Sequence, residues 1–458
     1  MNPVNLKATH LTKSPSIIDL FSGCGGLSTG FMMEGITILT GIENNLHACK
    51  TASLNLHWKH GNDKEYLCED ITNVKASSIA DKNSGPLITI GGPPCQAYSR
   101  IGKAKIKSLG EHRFGLNDNR AFLYEEFIRV GVELDSEAII MENVPESVCF
   151  QGKNIPQTVC DILEEKGYNV VWTILNSADF GVPQTRERVF VIAIKKVYGE
   201  IKHLPLPTHS ETNFSESKQR NKYKRFMLDK NFREPLRARE GAPKWVTVEE
   251  AISDLPGVFP SSNLKYPNIK LNTLLSYQTP PTNNYQFLMR GNKRIYNGTV
   301  NGNCFRNTKR DFRIFEDMGF GDDYRKAHKI AVEKFDDICS FLGVTKTCSP
   351  DKYYDLKKKY VPPYDLSKFH TRWKKLDPYK PSHTLVAHLG TDTYSHIHPY
   401  EPRGITVREA ARLQSFPDSF IFNTSMGQAF KQIGNAVPPL LARGVAKAVK
   451  KNLGIKSD

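Results

Sequence analysis

Over its first 195 residues the chain alternates compact β-branched runs with stretches of helical spacing, and this alternation leaves few folds open to it. Residues 17–21, 37–42, 87–90, 138–141, 169–175 and 189–194 are short and dominated by Ile, Val and Leu, as expected of strands buried on both faces. Between them, 46–56, 121–134 and 156–165 have helical spacing, the last with Pro156 at its first position, where a missing N–H leaves no bond unmade. The pattern predicts an α/β fold built on a doubly wound sheet.

The alternation stops near residue 200. Residues 205–245 are rich in Pro, Ser, Asn, Lys and Arg and read as a linker or basic arm. From 246 to 379 short apolar runs and turn signals such as Tyr296-Asn297-Gly298 suggest a smaller domain of low regularity. Helical spacing returns at 406–415, with Thr406 and Glu409 placed as a capping box, and at 438–452. The boundaries expected on this basis are 1–204, 205–375 and 376–458.

Charge follows the same division. The formal net charge is +15, and residues 201–380 carry 34 Lys+Arg against 20 Asp+Glu, leaving the rest nearly neutral. A basic segment in a neutral chain fits either a solvated surface or a module that binds a polyanion. At 458 residues with 39% hydrophobic content, the chain has ample material for a large core. No apolar run approaches the ~18 residues of a membrane span. The start, MNPVNLKATHLTKSP, lacks the apolar stretch of an export signal. Nine cysteines without a CxxC pair read as reduced thiols. The expectation is a cytoplasmic protein without a membrane segment.

Four strand ends carry residues that packing explains poorly. The first strand runs into DLFSGCGG, whose Gly23, Gly25 and Gly26 permit a tight turn and close approach of a ligand, and the next strand ends in Glu43, at the distance where an acid meets ribose hydroxyls. A Gly-rich turn also occurs with no ligand, and this spacing differs from that of a dinucleotide fingerprint. The strand at 87–90 leads into GGPPCQAYS with Cys95 held by two prolines; a lone cysteine is either a small buried hydrophobe or a nucleophile. The strand at 138–141 ends in MENVP, presenting Glu142 as a loop carboxylate or a proton donor. Gln184, Arg186 and Arg188 precede the last strand at alternate positions. They fall on one side if the strand has begun, suiting a negative charge, or are solvated at a strand entrance.

The blocks DLFSGCGG, GGPPCQ, MENVPES, QTRERVF, TVREAARLQSFPDSF and KQIGNAVPP occur in this order, and the set resembles the DNA (cytosine-5) methyltransferase family. The resemblance covers about 15–195 and 376–452, and leaves 205–370 for the family's variable target-recognition domain. Tyr98 stands where Phe is common, and GNAV where GNSV is frequent. The resemblance implies a Rossmann-like S-adenosylmethionine-dependent domain with a smaller, irregular target-recognition domain. It assigns Cys95 as the nucleophile toward carbon 6 of a flipped cytosine, Glu142 to ring nitrogen 3, Arg188 to the base carbonyl, and Arg186 and Gln184 to positioning. For S-adenosyl-L-methionine, with S-adenosyl-L-homocysteine as product, it implies Phe21 on the adenine and Gly23, Gly25 and Gly26 at the methionine end. Glu43 falls to the ribose, Asp70 and Ile71 to the adenine edge, Pro94 and Leu123 to closing the pocket, and Asn435 and Val437 to the methionine portion.

Double-stranded DNA is the implied partner. Contacts are expected from Gln96 and Ser99 and, on charge and position, from Lys222, Lys224, Arg225, Arg306, Lys309 and Arg310. Arg408 and Arg412 read as structural. His383, His388, His396 and His398 fit no zinc spacing, and no metal is expected. Compact size resembles that of a bacterial modification enzyme, one catalytic and one recognition domain suffice in a monomer, and family habit implies a cognate restriction endonuclease without a stable complex. The rival readings are a tRNA methyltransferase, which the long basic insert disfavours, a catalytically silent DNA-binding scaffold, which intact Cys95, Glu142 and Arg188 disfavour, and a nicotinamide oxidoreductase, suggested by the Gly-rich turn alone.

Overall fold

The structure, a computed structural model, describes residues 14–80, 85–94, 122–211, 221–258, 268–291, 298–306, 311–369 and 372–455. Seven strands form one sheet: β1 (Ser16–Leu20), β2 (Thr37–Glu43), β3 (Leu67–Cys68), β4 (Leu87–Gly91), β5 (Ala138–Asn143), β6 (Tyr168–Asn176) and β7 (Glu187–Lys195). Their order is β3-β2-β1-β4-β5-β7-β6. The first five run parallel, while β7 lies antiparallel to both β5 and β6. The reversal follows from chain length, because residues 177–186 between β6 and β7 are fewer than the dozen or so a parallel crossover needs.

Helices α1 (Gly26–Met32), α2 (Leu46–Leu56), α3 (Leu123–Glu133) and α4 (Ile155–Glu165) connect the strands. Asn45 and Asn154 cap α2 and α4 with their side chains. One core holds Ile18, Leu20, Phe127, Ile139, Met141, Trp172 and Val191, all nearly inaccessible. Each expected strand and helix of this region is present to within two residues, whereas two-residue β3 is too short to show a period.

The chain divides into two compact units, residues 1–245 with 436–458, and residues 246–435. Composition changes instead at 204 and 375. Residues 221–245, which read as linker or arm, bury Tyr223, Phe226 and Phe232. Phe226 and Phe232 stand 5.6 and 4.7 Å from the Trp172 ring of β6, and the backbone N–H of Trp172 and Arg233 bond across to Asn231 and Trp172. Three aromatic side chains outweigh the polar composition around them.

Residues 246–435 form a unit of short elements: α5 (Val248–Ile252), β8 (Leu275–Ser276), α6 (Asn284–Arg290), β9 (Thr299–Val300), α7 (Tyr324–Phe341), α8 (Pro350–Tyr360), α9 (Val407–Leu413) and α10 (Met426–Asn435). The eighteen-residue α7 corrects the expectation of an irregular stretch. It buries Ala327, Ile330, Ala331, Phe335 and Cys339 on one stripe, but charges between them mask the pattern. Thr406 and Glu409 form the expected capping box. Arg412 is buried, bonding to Asp418 at 2.6 Å and to Asp254 at 3.2 Å, and Arg408 bonds to Asn301 at 2.7 Å, so both arginines tie this unit together internally.

His383 and His396 stack with centroids 4.0 Å apart, and the ring of His398 accepts the N–H of Glu401 at 2.9 Å. Burial holds all three neutral, with His383 and His398 pushed down to about 4. Among the described residues no group of three or more His, Cys, Asp or Glu is arranged to hold a metal ion, and no helix is long and apolar enough to cross a membrane.

The chain ends in α11 (Pro439–Asn452), which packs on α1. Arg443 pairs with Glu34 at 2.6 Å, and the Lys450 ammonium donates to the Glu34 carbonyl at 2.7 Å. A Cβ at Gly30 would meet Ala442 at 2.4 Å and the Pro439 carbonyl at 2.5 Å, so the helices approach as closely as backbones allow.

Gly30→Val is therefore expected to destabilise the protein by about 2 kcal/mol or more, read as a lower unfolding temperature. The histidines predict a second effect. A base whose folded pKa lies below its unfolded value of ~6.5 contributes stability that is complete above that value and lost as pH falls toward the folded pKa. Denaturant melts should weaken between pH 6.5 and 4, and His383→Gln with His398→Gln should flatten that loss.

Candidate active site

β1, β4 and β5 end at one edge of the sheet, and because β7 runs the opposite way it begins there. Glu142 on β5 lies opposite Phe190 of β7. Two residues earlier, Arg188 turns its guanidinium Nε to the Glu142 Oε1 at 2.8 Å, with both side chains about seven-eighths buried. Burial raises the Glu142 carboxyl above the usual carboxylate range, while Arg188, and behind it Arg186, pull it back. Both guanidiniums thus act on one carboxylate, although only Arg188 of the two lies within β7.

Strand β7 begins only at Glu187, so Arg186 and Gln184 are held from outside it. The Arg186 carbonyl accepts the Ser177 N–H at 2.8 Å and its hydroxyl at 2.9 Å. The Arg186 N–H donates to the Asn176 side chain at 3.2 Å. Gln184 and Arg186 are both buried.

Just past the end of β4, a Cβ on Gly92 would come within 2.9 Å of the Glu142 Oε2, and one on Gly91, the last residue of the strand, within 2.1 Å of the Leu20 carbonyl. The glycine pair therefore lets the loop pass directly against the acid, a requirement the sequence signals only as two adjacent glycines. The chain continues through Pro94. Cys95, Gln96, Ser99, Lys309 and Arg310 lie outside the described residues.

The turn after β1 forms a second cluster at the same edge. Phe21, Gly23 and Gly25 adopt positive φ of 58°, 56° and 86°, a region that favours glycine. Glu43 at the end of β2 accepts the Gly23 N–H at 3.0 Å and the Asn45 N–H at 2.8 Å. A side chain at Gly23 would meet nothing within 4 Å, whereas at Gly25 it would strike Leu56 at 2.5 Å. Gly23 faces open space, then, and Gly25 serves the packing of α2.

Beneath this turn lies a buried chain that the motifs do not reveal. The Tyr66 hydroxyl donates to Ser28 at 2.9 Å, and Ser28 donates to Asp19 at 2.6 Å. Burial pushes the Asp19 carboxyl up to about 7. Gly26 opens α1. Asp70 is exposed and accepts the N–H and hydroxyl of Thr72 at 3.0 and 2.8 Å, which lower its pKa. Ile71 is buried, and Leu123 begins α3 against the core.

The remaining expected residues are spread more widely. Asn435 is exposed at the end of α10, and Val437 is buried in the unit that contains the sheet. Lys222 pairs with Glu187, Lys224 and Arg225 are exposed, and Arg306 donates to the Gly390 carbonyl.

Residues 16–451 match the family model for C-5 cytosine-specific DNA methylases. The chain is 52% identical over 96% of both chains to an Oceanobacillus iheyensis protein assigned as type II methyltransferase M.OihORF3336P. It is 31% identical to the type II methyltransferase M.DdeI of Desulfomicrobium norvegicum, over 97% of this chain and 91% of that one. Among solved structures, a prophage-encoded DNA modification methyltransferase of E. coli superposes with a TM-score of 0.63 at 24% identity, covering 96% of this chain and all of the other, a likeness of fold. Together with the Rossmann-like α/β sheet, these matches make the chain a member of the C-5 cytosine-specific DNA methylase family and a DNA cytosine-5 methyltransferase.

Proposed function

We propose that the protein methylates carbon 5 of a cytosine flipped out of double-stranded DNA at a specific sequence, using S-adenosyl-L-methionine and Cys95 as a covalent nucleophile. The observation that carries this reading is the largely buried Glu142–Arg188 pair beside Gly92, three residues before Cys95 in the sequence.

Carbon 5 of cytosine is a weak nucleophile, and the base leaves the stack at a cost of a few kcal/mol. The Cys95 thiolate adds to carbon 6, forming a sulfur–carbon bond and turning the ring into an enamine. Glu142, whose raised pKa suits a proton donor, gives its proton to nitrogen 3 as electrons move there. Arg188 stabilises charge on the base carbonyl, while Arg186 and Gln184 hold the strand entrance in place. After carbon 5 is alkylated its proton leaves, the electron pair restores the ring double bond, and the sulfur–carbon bond breaks.

The turn after β1 fits the cofactor. Gly23 faces open space, and two backbone N–H groups fix the Glu43 carboxylate while leaving lone pairs for ribose hydroxyls. Phe21, Gly25, Gly26, Asp70, Ile71, Pro94, Leu123, Asn435 and Val437 complete the proposed set. When bound, the cofactor supplies an electrophilic methyl group and leaves as S-adenosyl-L-homocysteine.

On the DNA side, exposed Lys224 and Arg225 suit phosphate contacts, with Lys222, Arg306, Lys309, Arg310, Gln96 and Ser99 as further candidates. The type II names of the relatives support a modification role beside a restriction endonuclease. We place that role, for a monomer, in the bacterial cytoplasm.

Incubating the protein with duplex DNA, or with tRNA as control, and S-adenosyl-L-methionine, then mapping 5-methylcytosine, tests the reading. Methylation at one recurring DNA sequence is expected, and none with Cys95→Ser at undiminished DNA binding. A wild type that leaves duplex DNA unmodified, or a Cys95→Ser variant as active as wild type, refutes it. Glu142→Gln should lower kcat by about 10²–10⁴-fold. Arg188→Ala, by removing the positive partner, should move the Glu142 titration in the pH–rate profile to higher pH.

A further inference from the structure

We infer that Cys49 and Cys68 are a peroxide-responsive thiol pair whose closure to a disulfide weakens binding of the cofactor. The inference rests on the reading of Glu43 and Asp70 as cofactor residues, because the two thiols sit between those acids. β2 and β3 pair Ile42 with Leu67 and Glu43 with Cys68. Cys68 is exposed and two residues before Asp70. Cys49, in the first turns of α2, is buried. Its thiol donates to the Glu43 carbonyl at 3.1 Å, lies 3.8 Å from the Leu67 carbonyl, and neighbours the Cys68 sulfur.

Exposure and burial divide the work. Burial, and then the nearby Cys68, hold the Cys49 thiol well above its ordinary pKa, so it is inert alone, whereas the solvent-facing Cys68 is open to oxidants. The Cys68 thiol loses its proton and the thiolate attacks hydrogen peroxide, breaking the O–O bond to give a sulfenic acid and a hydroxide that takes up that proton as water. Cys49 then loses its proton and attacks that sulfur. The S–S bond forms as the S–O bond breaks, and the departing hydroxide takes the proton. In sum, two thiols are oxidised and one peroxide is reduced to two waters. Proximity makes the second step intramolecular and fast. Closure removes the thiol's hydrogen bond to the Glu43 carbonyl and draws β3 toward α2, so both acids shift from their reduced positions.

The test uses the reduced full-length protein, hydrogen peroxide, peptide mapping without reductant, and calorimetry with S-adenosyl-L-methionine. A Cys49–Cys68 linked peptide, reversed by dithiothreitol, is expected. So is a loss of cofactor affinity of about tenfold, the scale of one hydrogen bond to a charged group. Cys68→Ser should remove both the linkage and the affinity loss. In Cys49→Ser the oxidation should halt at a Cys68 sulfenic acid that dimedone traps. Absence of the linked peptide, pairing of either thiol elsewhere, or an equal affinity loss in Cys68→Ser overturns the inference. Linkage with unchanged affinity overturns its coupling to the cofactor. Failure of the reduced protein to bind S-adenosyl-L-methionine would count against the cofactor reading instead, and the linked peptide would still decide the thiol pair.

Discussion

One reversed strand sets the arrangement of charged side chains at the edge of this sheet. In a wholly parallel sheet every strand would deliver its last residues to the working edge and its first residues to the opposite one. β7 runs against its neighbours because the connection from β6 is too short to cross over. The first residues of β7 therefore meet the last residues of β5, and the sheet's hydrogen-bond ladder sets Arg188 against Glu142. Neither side chain needs a flexible loop to find the other. The ion pair is taken largely out of water, where its strength depends on geometry and where removing one partner strands the other.

Close backbone approach is the second organising theme, and it depends on missing Cβ atoms. Gly91 ends β4 against the Leu20 carbonyl of β1, Gly92 lays the loop after it against the Glu142 carboxylate, and Gly25 seats the turn after β1 on α2. Charge is arranged on a larger scale. Within the compact units, residues 201–245 hold 11 Lys+Arg against 5 Asp+Glu and residues 246–435 hold 27 against 19. The basic excess that appears continuous along the sequence thus belongs to two bodies, one of which also contains the sheet.

Apart from two-residue β3, the strands of the first 195 residues and the helices α2, α3 and α4 are legible because each is long enough to show its pattern and buries apolar side chains. α7 is obscured by lysines and aspartates that lie between its buried positions, and α8 buries no residue at all. The packing of residues 221–245 depends on Trp172, more than fifty positions away, and local composition carries no trace of such a partner. In the site, the motifs mark Glu142, Arg188 and Glu43 by their places at strand ends. What they do not convey is how each is held: Gly92 is signalled only as half of a doublet, and the Asp19–Ser28–Tyr66 chain joins residues 38 positions apart.

The unit that contains the sheet is assembled from both ends of the chain, since α11 completes the face of α1 where Gly30 meets Ala442 and Pro439. During synthesis the 246–435 unit is a continuous stretch that emerges whole while the last helix is still unmade. The unit that holds the sheet meanwhile waits for α11, and until then Gly30 of α1 lacks the helix it packs on. Domains that fold as units during translation do so in the order in which their residues appear. Here the unit that begins second has all of its residues first, and the packing of α1 on α11 is the later event in the unit that holds the sheet.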